Sequence, residues 1–163
     1  MFISNKIVRI FIVISILFIT LTLNGCKADK KTFTKFNMTI ELTEDFEEIP
    51  FEGVAAYYVS KEILVMCLRE PFTHPSIGEY YTVEDFARLC LNMPSGTYYN
   101  IRTRSKYVYY VYEQEMEGEM QRIVATFHEA SDAFWLIQFC THRRMYVERK
   151  YYIFEYADSI QFN

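Results

Sequence analysis

The sequence predicts an α+β domain in which a predominantly antiparallel β-sheet is flanked by helices on both faces. Several short runs alternate apolar and polar residues, or are rich in β-branched and aromatic residues, as strands are. Two other segments, 82–93 and 143–157, place apolar residues at helical spacing. Aromatic residues make up 18% of the chain, with 14 tyrosines and 14 phenylalanines, which favours a sheet-rich domain.

The strand predictions begin at residue 37. Residues 37–42 alternate cleanly and place Met38, Ile40 and Leu42 on one face. Residues 54–60 and 62–69 form two apolar runs on either side of a short break, which indicates a hairpin. Four further strands are expected at 97–104, 106–115, 119–128 and 134–142.

The clearest helix is predicted at 82–93. Thr82 and Asp85 resemble a capping box, in which side chains satisfy the free N–H groups of the first turn. The apolar stripe of this helix is expected to consist of Phe86, Leu89, Cys90 and Met93, and the Pro94–Gly96 segment ends it. The second helix is expected to pack through Val147, Tyr151, Phe154 and Ala157.

The register of the last three long strands follows from two assumed turns. A two-residue turn at Glu117–Gly118 pairs residues whose numbers sum to 235, and a five-residue loop at 129–133 pairs residues that sum to 262. One face then carries the rows Val108–Phe127–Trp135, Tyr110–Ala125–Ile137 and Tyr112–Ile123–Phe139. We expect this wholly apolar face to be the core face, since a one-residue slip would bring Arg122 and Gln138 into it.

The opposite face of these strands mixes aromatic and polar residues. Glu113 is expected to lie across from Arg122 as a cross-strand ion pair. The C-terminal helix is expected to cover only part of this face. Its candidate binding surface consists of Tyr107, Tyr109, Arg122, His128 and Gln138.

The N-terminus has the layout of a bacterial lipoprotein leader. Lys6 and Arg9 precede an apolar run at 10–23, and the segment Asn24-Gly25-Cys26 resembles a lipobox. The apolar run is shorter than the roughly 20 residues that span a bilayer. We therefore predict a signal peptide at 1–25, diacylation of Cys26, a basic tether at 26–36 and a single domain at 37–163. The alternatives are a plain signal peptide and an uncleaved anchor.

Charge and cysteine content narrow the function classes. Residues 36–163 hold 11 basic and 20 acidic residues, a net charge of −9, which argues against nucleic acid as a partner. The basic tether instead favours an anionic membrane leaflet, and we expect the protein at the extracytoplasmic face of the cell membrane. Cys67, Cys90 and Cys140 are odd in number, so buried free thiols are expected rather than a disulfide framework.

No motif in the sequence indicates catalysis, a metal or a cofactor. There is no Gly-x-Ser-x-Gly elbow and no His-Glu-x-x-His. Cys140 and His142 lie two apart on one predicted strand, where ordinary strand residues are the favoured interpretation over a dyad. The glutamates at 113, 115, 117 and 119 alternate around Gly118, but a solvated hairpin tip is favoured over calcium binding.

The order of elements resembles the PsbP-like family, including DcrB-type bacterial lipoproteins. The resemblance covers residues 37–163. It is carried by the Met38–Leu42 start with Phe46 after an acidic turn, by the strand ending in Arg69-Glu70, by the mid-chain helix, by the Phe134–Phe139 strand and by the terminal Ser159–Phe162. It implies an antiparallel sheet flanked by helices. It also implies a non-catalytic accessory or binding protein of a membrane complex, with no active site to carry over.

The leading functional hypothesis is a lipid-anchored, non-catalytic domain that binds a protein of the cell envelope. A first alternative is a lipoprotein that binds a small ligand or the cell wall through exposed tyrosines, which predicts a pocket rimmed by at least two of them. A second alternative is an enzyme of unrecognised type, which predicts a cleft with a perturbed titratable group near His128 or the Glu113–Arg122 pair.

Overall fold

The computed structural model describes residues 29–75, 77, 81–91 and 100–163. These residues form ten strands and two helices. The strands are β1 (Lys30–Lys35), β2 (Met38–Thr43), β3 (Glu47–Glu48), β4 (Ala56–Val59), β5 (Ile63–Pro71), β6 (Arg102–Thr103), β7 (Val108–Met116), β8 (Glu119–Glu129), β9 (Ala133–His142) and β10 (Gln161–Phe162). The helices are α1 (Val83–Leu91) and α2 (Tyr146–Ser159).

The strands form two sheets, and every pairing within the described residues is antiparallel. The larger sheet has the order β3-β4-β5-β9-β8-β7-β6, and the smaller sheet has the order β1-β2-β10. The expected hairpin at 54–69 is present as β4 and β5, with Ala56 opposite Cys67.

One helix packs on each face of the larger sheet. Phe86 and Ala87 of α1 lie in a cluster with Val108, Tyr110, Ala125, Phe127 and Phe134. Ile153, Tyr156 and Ala157 of α2 lie in the main core on the other face, with Val124, Trp135, Ile137 and Phe139. The smaller sheet adds Met38, Ile40 and Leu42 to that core. The predicted fold class is confirmed.

The capping box of α1 is present. The Asp85 backbone N–H donates to Thr82 Oγ1 at 3.2 Å, and the Thr82 backbone N–H donates to Asp85 Oδ2 at 3.0 Å. These hydrogen bonds to Thr82 hold the pKa of Asp85 below its ordinary value. Phe86 is buried as expected, and Ala87 is buried beside it. Met93, the 94–96 terminator and residues 97–99 of the next predicted strand lie outside the described residues.

The folded domain begins before residue 37, so the predicted tether at 26–36 is too long. β1 pairs with β2 along its whole length, and Phe33 is only 6% exposed. The Phe33 ring packs on Tyr58, with 4.7 Å between the ring centroids. The lysines of β1 resemble those of a solvated tether, so the sequence does not indicate a strand here. Exposed edge strands also carry charged side chains, and β1 lies at the edge of its sheet.

The register of β7 and β8 is as predicted, but that of β8 and β9 is shifted by one residue. Val108 lies opposite Phe127, and Phe127 lies opposite Leu136 rather than Trp135. The Ala130 N–H donates to the Ala133 oxygen at 3.0 Å, which closes a turn one residue shorter than the assumed loop. Trp135 therefore turns to the opposite face of the sheet.

This shift exchanges the roles of the two faces. Ile137 and Phe139 join Trp135 under α2 in the main core, whereas Gln138 lies opposite Ala125 on the α1 face. Gln138 is accommodated there because its Nε2 donates to the Tyr112 hydroxyl at 2.8 Å and its side chain is half-buried.

Helix α2 packs through only part of the side expected, since Ala157 is buried and Phe154 packs against the core but the other two expected residues do not. Val147 and Tyr151 are each 71% exposed, and the buried residues are Ile153, Tyr156 and Ala157. Tyrosines occur on several sides of α2, so its sequence does not single out one apolar stripe as the packed side. The Tyr156 hydroxyl also shares a hydrogen bond of 3.0 Å with Thr43 Oγ1, which satisfies its polar atom on the packed side.

The predicted signal peptide and Cys26 lie outside the described residues. Among the helices that the structure describes, none combines the length and apolar character needed to cross a membrane.

Candidate functional site

The five residues of the predicted binding surface do not form one surface. Tyr107 and His128 are buried, at 4% and 3% exposed. Tyr109 is half-buried against Phe154 of α2, with 5.1 Å between ring centroids. Gln138 lies on the other face of the sheet because of the β8–β9 register. Arg122 is partly exposed. Tyr107 and His128 are therefore too buried to contact a partner, and Gln138 does not share their face, so the five residues cannot act as one surface.

His128 is a core residue rather than a catalytic one. Its Nε2 lies 3.0 Å from Thr126 Oγ1, and that hydroxyl donates to the Ile137 carbonyl. Because the hydroxyl proton is already used, Nε2–H is the donor in the first bond. Burial lowers the pKa of His128 to about 3, so the imidazole is neutral at physiological pH. None of the described cavities opens onto it.

The expected Glu113–Arg122 pair is present and belongs to a structural network. Glu113 also accepts from Arg143 Nε at 3.2 Å, and the Arg122 guanidinium lies 5.0 Å from the centre of the Tyr146 ring. The network ties β7 and β8 to the start of α2. Tyr107 has a similar role at the other end of α2, where its hydroxyl donates to Asp158 at 2.9 Å.

The described cysteines lack the lowered pKa that an activated thiol nucleophile has. Burial raises the pKa of Cys67, and it raises the pKa of Cys90 and of Cys140 to about 11. All three thiols are free and uncharged at neutral pH. Cys140 and His142 both line an open cavity of about 870 Å³, but Cys140 contacts Gln121 rather than the imidazole.

No group of three or more metal-ligating side chains converges within the described part of the chain. Glu115, Glu117 and Glu119 of the β7–β8 hairpin are exposed, whereas Glu113 is half-buried and paired with Arg122 and Arg143.

A groove runs along α2 and has a volume of about 570 Å³. This helix groove lies between α2 and strands β6 and β7, and its floor is aromatic. Its lining residues are Arg102, Arg104, Tyr109, Val111, Tyr146, Lys150, Tyr151, Phe154, Glu155 and Asp158. Tyr151 is exposed, but Tyr109 and Tyr146 are half-buried. The groove thus has one exposed tyrosine, where the ligand-binding alternative predicts at least two.

An aromatic cluster stands out at the turn between β1 and β2. Phe36 is 66% exposed, and its backbone lies in the left-handed region with φ of 53°. The Arg69 guanidinium lies 5.5 Å from the centre of its ring. Arg69 also forms an ion pair with Asp132, which accepts a hydrogen bond of 3.3 Å from Asn37. Phe72 joins the cluster through its backbone N–H, which donates to the Asp132 oxygen at 3.2 Å.

We call this cluster the tip patch, defined as Phe36, Asn37, Arg69, Phe72 and Asp132. Phe72 is exposed and packs edge-on against Phe134, with 4.9 Å between ring centroids. Two buried polar atoms of the patch, Asn37 Oδ1 and Arg69 Nε, have no hydrogen-bond partner among the described residues. The tip patch therefore offers exposed rings beside an arginine, residue types that are enriched at protein-binding surfaces.

The sequence does not predict the tip patch, because its pattern places residues 30–35 in the tether rather than in a strand. With β1 recognised, residues 36–37 become a two-residue hairpin loop. Such loops strongly favour Gly, Asn or Asp where φ is positive. A phenylalanine at position 36 departs from that preference, which marks the residue as unusual.

Comparison with solved structures shows what the fold resembles. The solution structure of cyanobacterial PsbP (CyanoP) from Synechocystis sp. PCC 6803 matches with a TM-score of 0.59 and 10% sequence identity, covering 86% of this chain and 96% of that one. The fold is PsbP-like. A crystal structure from Bacteroides thetaiotaomicron VPI-5482 matches with a TM-score of 0.51 and 9% identity, covering 82% of this chain and 48% of that one. No family model and no curated protein sequence matches the chain.

At these identities the likeness concerns the PsbP-like fold itself. It agrees with the antiparallel sheet and the two flanking helices described above. The DcrB-type part of the predicted resemblance stays a prediction.

Proposed function

We propose that this protein is a lipid-anchored, non-catalytic accessory domain at the extracytoplasmic face of the cell membrane, where it binds an envelope protein through the tip patch. The PsbP-like fold supports an accessory role, and the lipobox-like segment ending in Cys26 supports the anchor. The buried His128 and the uncharged thiols of the described residues offer no activated group for catalysis.

Phe36 is the observation that carries the proposal. A left-handed backbone costs a residue with a side chain about 1–2 kcal/mol, and glycine would avoid that cost. The ring meets Trp135 edge-on at 6.2 Å between centroids and the Arg69 guanidinium, yet 66% of the residue stays exposed. A strained conformation that displays an aromatic side chain points to a role outside folding. Phenylalanine beside arginine is a composition typical of protein interfaces.

The test replaces Phe36 by glycine. Phe36→Gly removes both the ring and the strain, so we expect the free energy of unfolding to stay the same or to rise by about 1 kcal/mol. Chemical denaturation measures this. Binding is measured by cross-linking in cells, followed by affinity capture of the full chain and quantitative mass spectrometry.

Glu117→Gly is the matched control. Glu117 is the other described non-glycine residue with positive φ, at 54°, and it lies in the β7–β8 turn. We expect one membrane protein to be captured by the wild type and by Glu117→Gly, and to be bound about 30-fold more weakly by Phe36→Gly, the effect of losing an interface hot spot. Equal capture by all three chains would contradict the tip patch as the binding site.

A further inference from the structure

The exposed side of α2 combines unpaired cations with apolar side chains. We call it the basic helix face and define it as Arg102, Arg144, Val147, Lys150 and Tyr151. Val147 and Tyr151 lie one helical turn apart, and both are 71% exposed. The three cations have no carboxylate within 4.0 Å in the described part of the chain, whereas Arg104 beside them is paired with Asp158.

The charge of this face is opposite to that of the whole domain, whose residues 36–163 carry a net charge of −9. Two carboxylates near it are engaged, since Glu155 pairs with Lys30 at 2.8 Å and Asp158 with Arg104 at 2.9 Å. Glu119 lines a cavity with Arg144 and Val147 and lies 3.9 Å from His142 Nε2. Glu148 of α2 is exposed and unpaired within the described residues. The face thus combines three unpaired cations with two exposed apolar side chains, and cations near an anionic bilayer surface are attracted to its headgroups.

The chain enters the fold beside this face. The Lys30–Glu155 ion pair places the start of β1 next to the helix groove that Tyr151 lines. Cys26 precedes Lys30 by four residues, which span at most about 14 Å when fully extended. Along α2, Val147 is eight residues from Glu155, or about 12 Å. An acyl anchor on Cys26 would therefore hold the basic helix face within reach of the lipid headgroups.

We infer that the basic helix face rests on the anionic headgroups of the membrane that holds the anchor. This rests on the proposed lipid anchor. It fixes the orientation of the domain: α2 faces the bilayer, and the tip patch at the far end of β1 from the anchor is left for a protein partner. Phe36 is six residues from Lys30, or about 20 Å along an extended strand.

The experiment uses the full chain, extracted from membranes and reconstituted into vesicles of phosphatidylcholine, with or without phosphatidylglycerol. Lysines are acetylated on the vesicles, and the rate of Lys150 modification is read by mass spectrometry, with exposed Lys61 as the internal reference. We expect Lys150 to be protected relative to Lys61 on the anionic vesicles and not on the neutral ones.

Two charge variants sharpen the test. Arg102→Gln removes one cation of the basic helix face, and Arg88→Gln removes an exposed cation of α1 on the other side of the larger sheet. Because each basic residue near an anionic surface contributes about fivefold to binding, Arg102→Gln should lower the ratio of docked to undocked chain about fivefold. Arg88→Gln should leave it unchanged.

The failure modes are distinguishable. Chain that is retained on both vesicles but shows equal Lys150 modification would overturn the inference and leave the anchor standing. Chain that is lost from both vesicles would remove the anchor and the inference with it. Protection on native membrane vesicles but not on pure lipid would assign the face to an acidic protein and also overturn the inference.

Discussion

His128 makes the stability of the fold depend on pH. Its pKa is about 3 in the folded protein, against an ordinary value of 6.5, because the ring is buried. As pH falls below about 6.5, the unfolded chain gains a proton that the folded chain does not, so the free energy of unfolding falls by up to about 1.4 kcal/mol per pH unit. Below about pH 3 the folded chain is protonated as well, so His128 lowers the free energy of unfolding no further. Above about pH 6.5 His128 has no effect on it.

The comparison that isolates this effect is urea denaturation of the wild type and His128→Gln between pH 7 and pH 4. Glutamine retains a donor toward Thr126 but does not titrate, so we expect a shallower decline in the variant. Parallel declines would show that His128 is not neutral in the fold.

Cys67, Cys90 and Cys140 should react slowly with alkylating agents at neutral pH. Burial raises the pKa of Cys90 and Cys140 to about 11 and removes most of the reactive thiolate. Iodoacetamide labelling followed by mass spectrometry should modify an exposed Val147→Cys control thiol first. Early labelling of Cys140 would indicate an activated thiol and would revive the enzyme alternative.

At the scale of single elements, α2 allows a direct test of its packed side. Ile153 is fully buried in the main core, and Val147 is 71% exposed. Ile153→Ala should cost about 2–5 kcal/mol of stability, as cavity-forming core substitutions do. Val147→Ala should change the stability by less than about 0.5 kcal/mol. Chemical denaturation that gave the reverse order would restore the side of α2 that the sequence predicts.

The elements also show which features a sequence can predict. The capping box of α1 and the β7–β8 turn are local, so Thr82, Asp85 and Gly118 were enough to place them. The β8–β9 register was not predictable in this way. Loops of four and of five residues between β8 and β9 both give largely apolar faces, so the sequence pattern does not choose between them. Gln138 on β9 is hydrogen-bonded to Tyr112 of β7, a contact that exists only once the sheet has formed.

The candidate site was the least predictable part of the molecule. Its prediction depends on the β8–β9 register, and a one-residue shift places Gln138 on the other face of the sheet. Phe162 of β10 packs against His128, and Asp158 of α2 binds the Tyr107 hydroxyl. Phe36 required β1, whose lysines resemble a flexible tether. A binding surface built from loops combines segments that are distant in the sequence. The tertiary fold, and not the local sequence pattern, brings those segments together.

At the scale of the whole molecule, the anchor has its own test. Mass spectrometry of the chain extracted from membranes should find Cys26 as the first residue, carrying a diacylglyceryl group. Cys26→Ala should leave residues 1–25 uncleaved. An unmodified cysteine, or cleavage at another position, would favour a plain signal peptide or an uncleaved anchor.

The most direct test of the accessory function is photo-cross-linking in cells, with a photoreactive residue in place of Phe36 in the anchored chain. We expect one discrete adduct with a membrane protein. The same residue in place of Glu117, at the other described positive-φ position, should give none. The absence of an adduct from position 36, or the same adducts from both positions, would contradict partner binding at the tip patch.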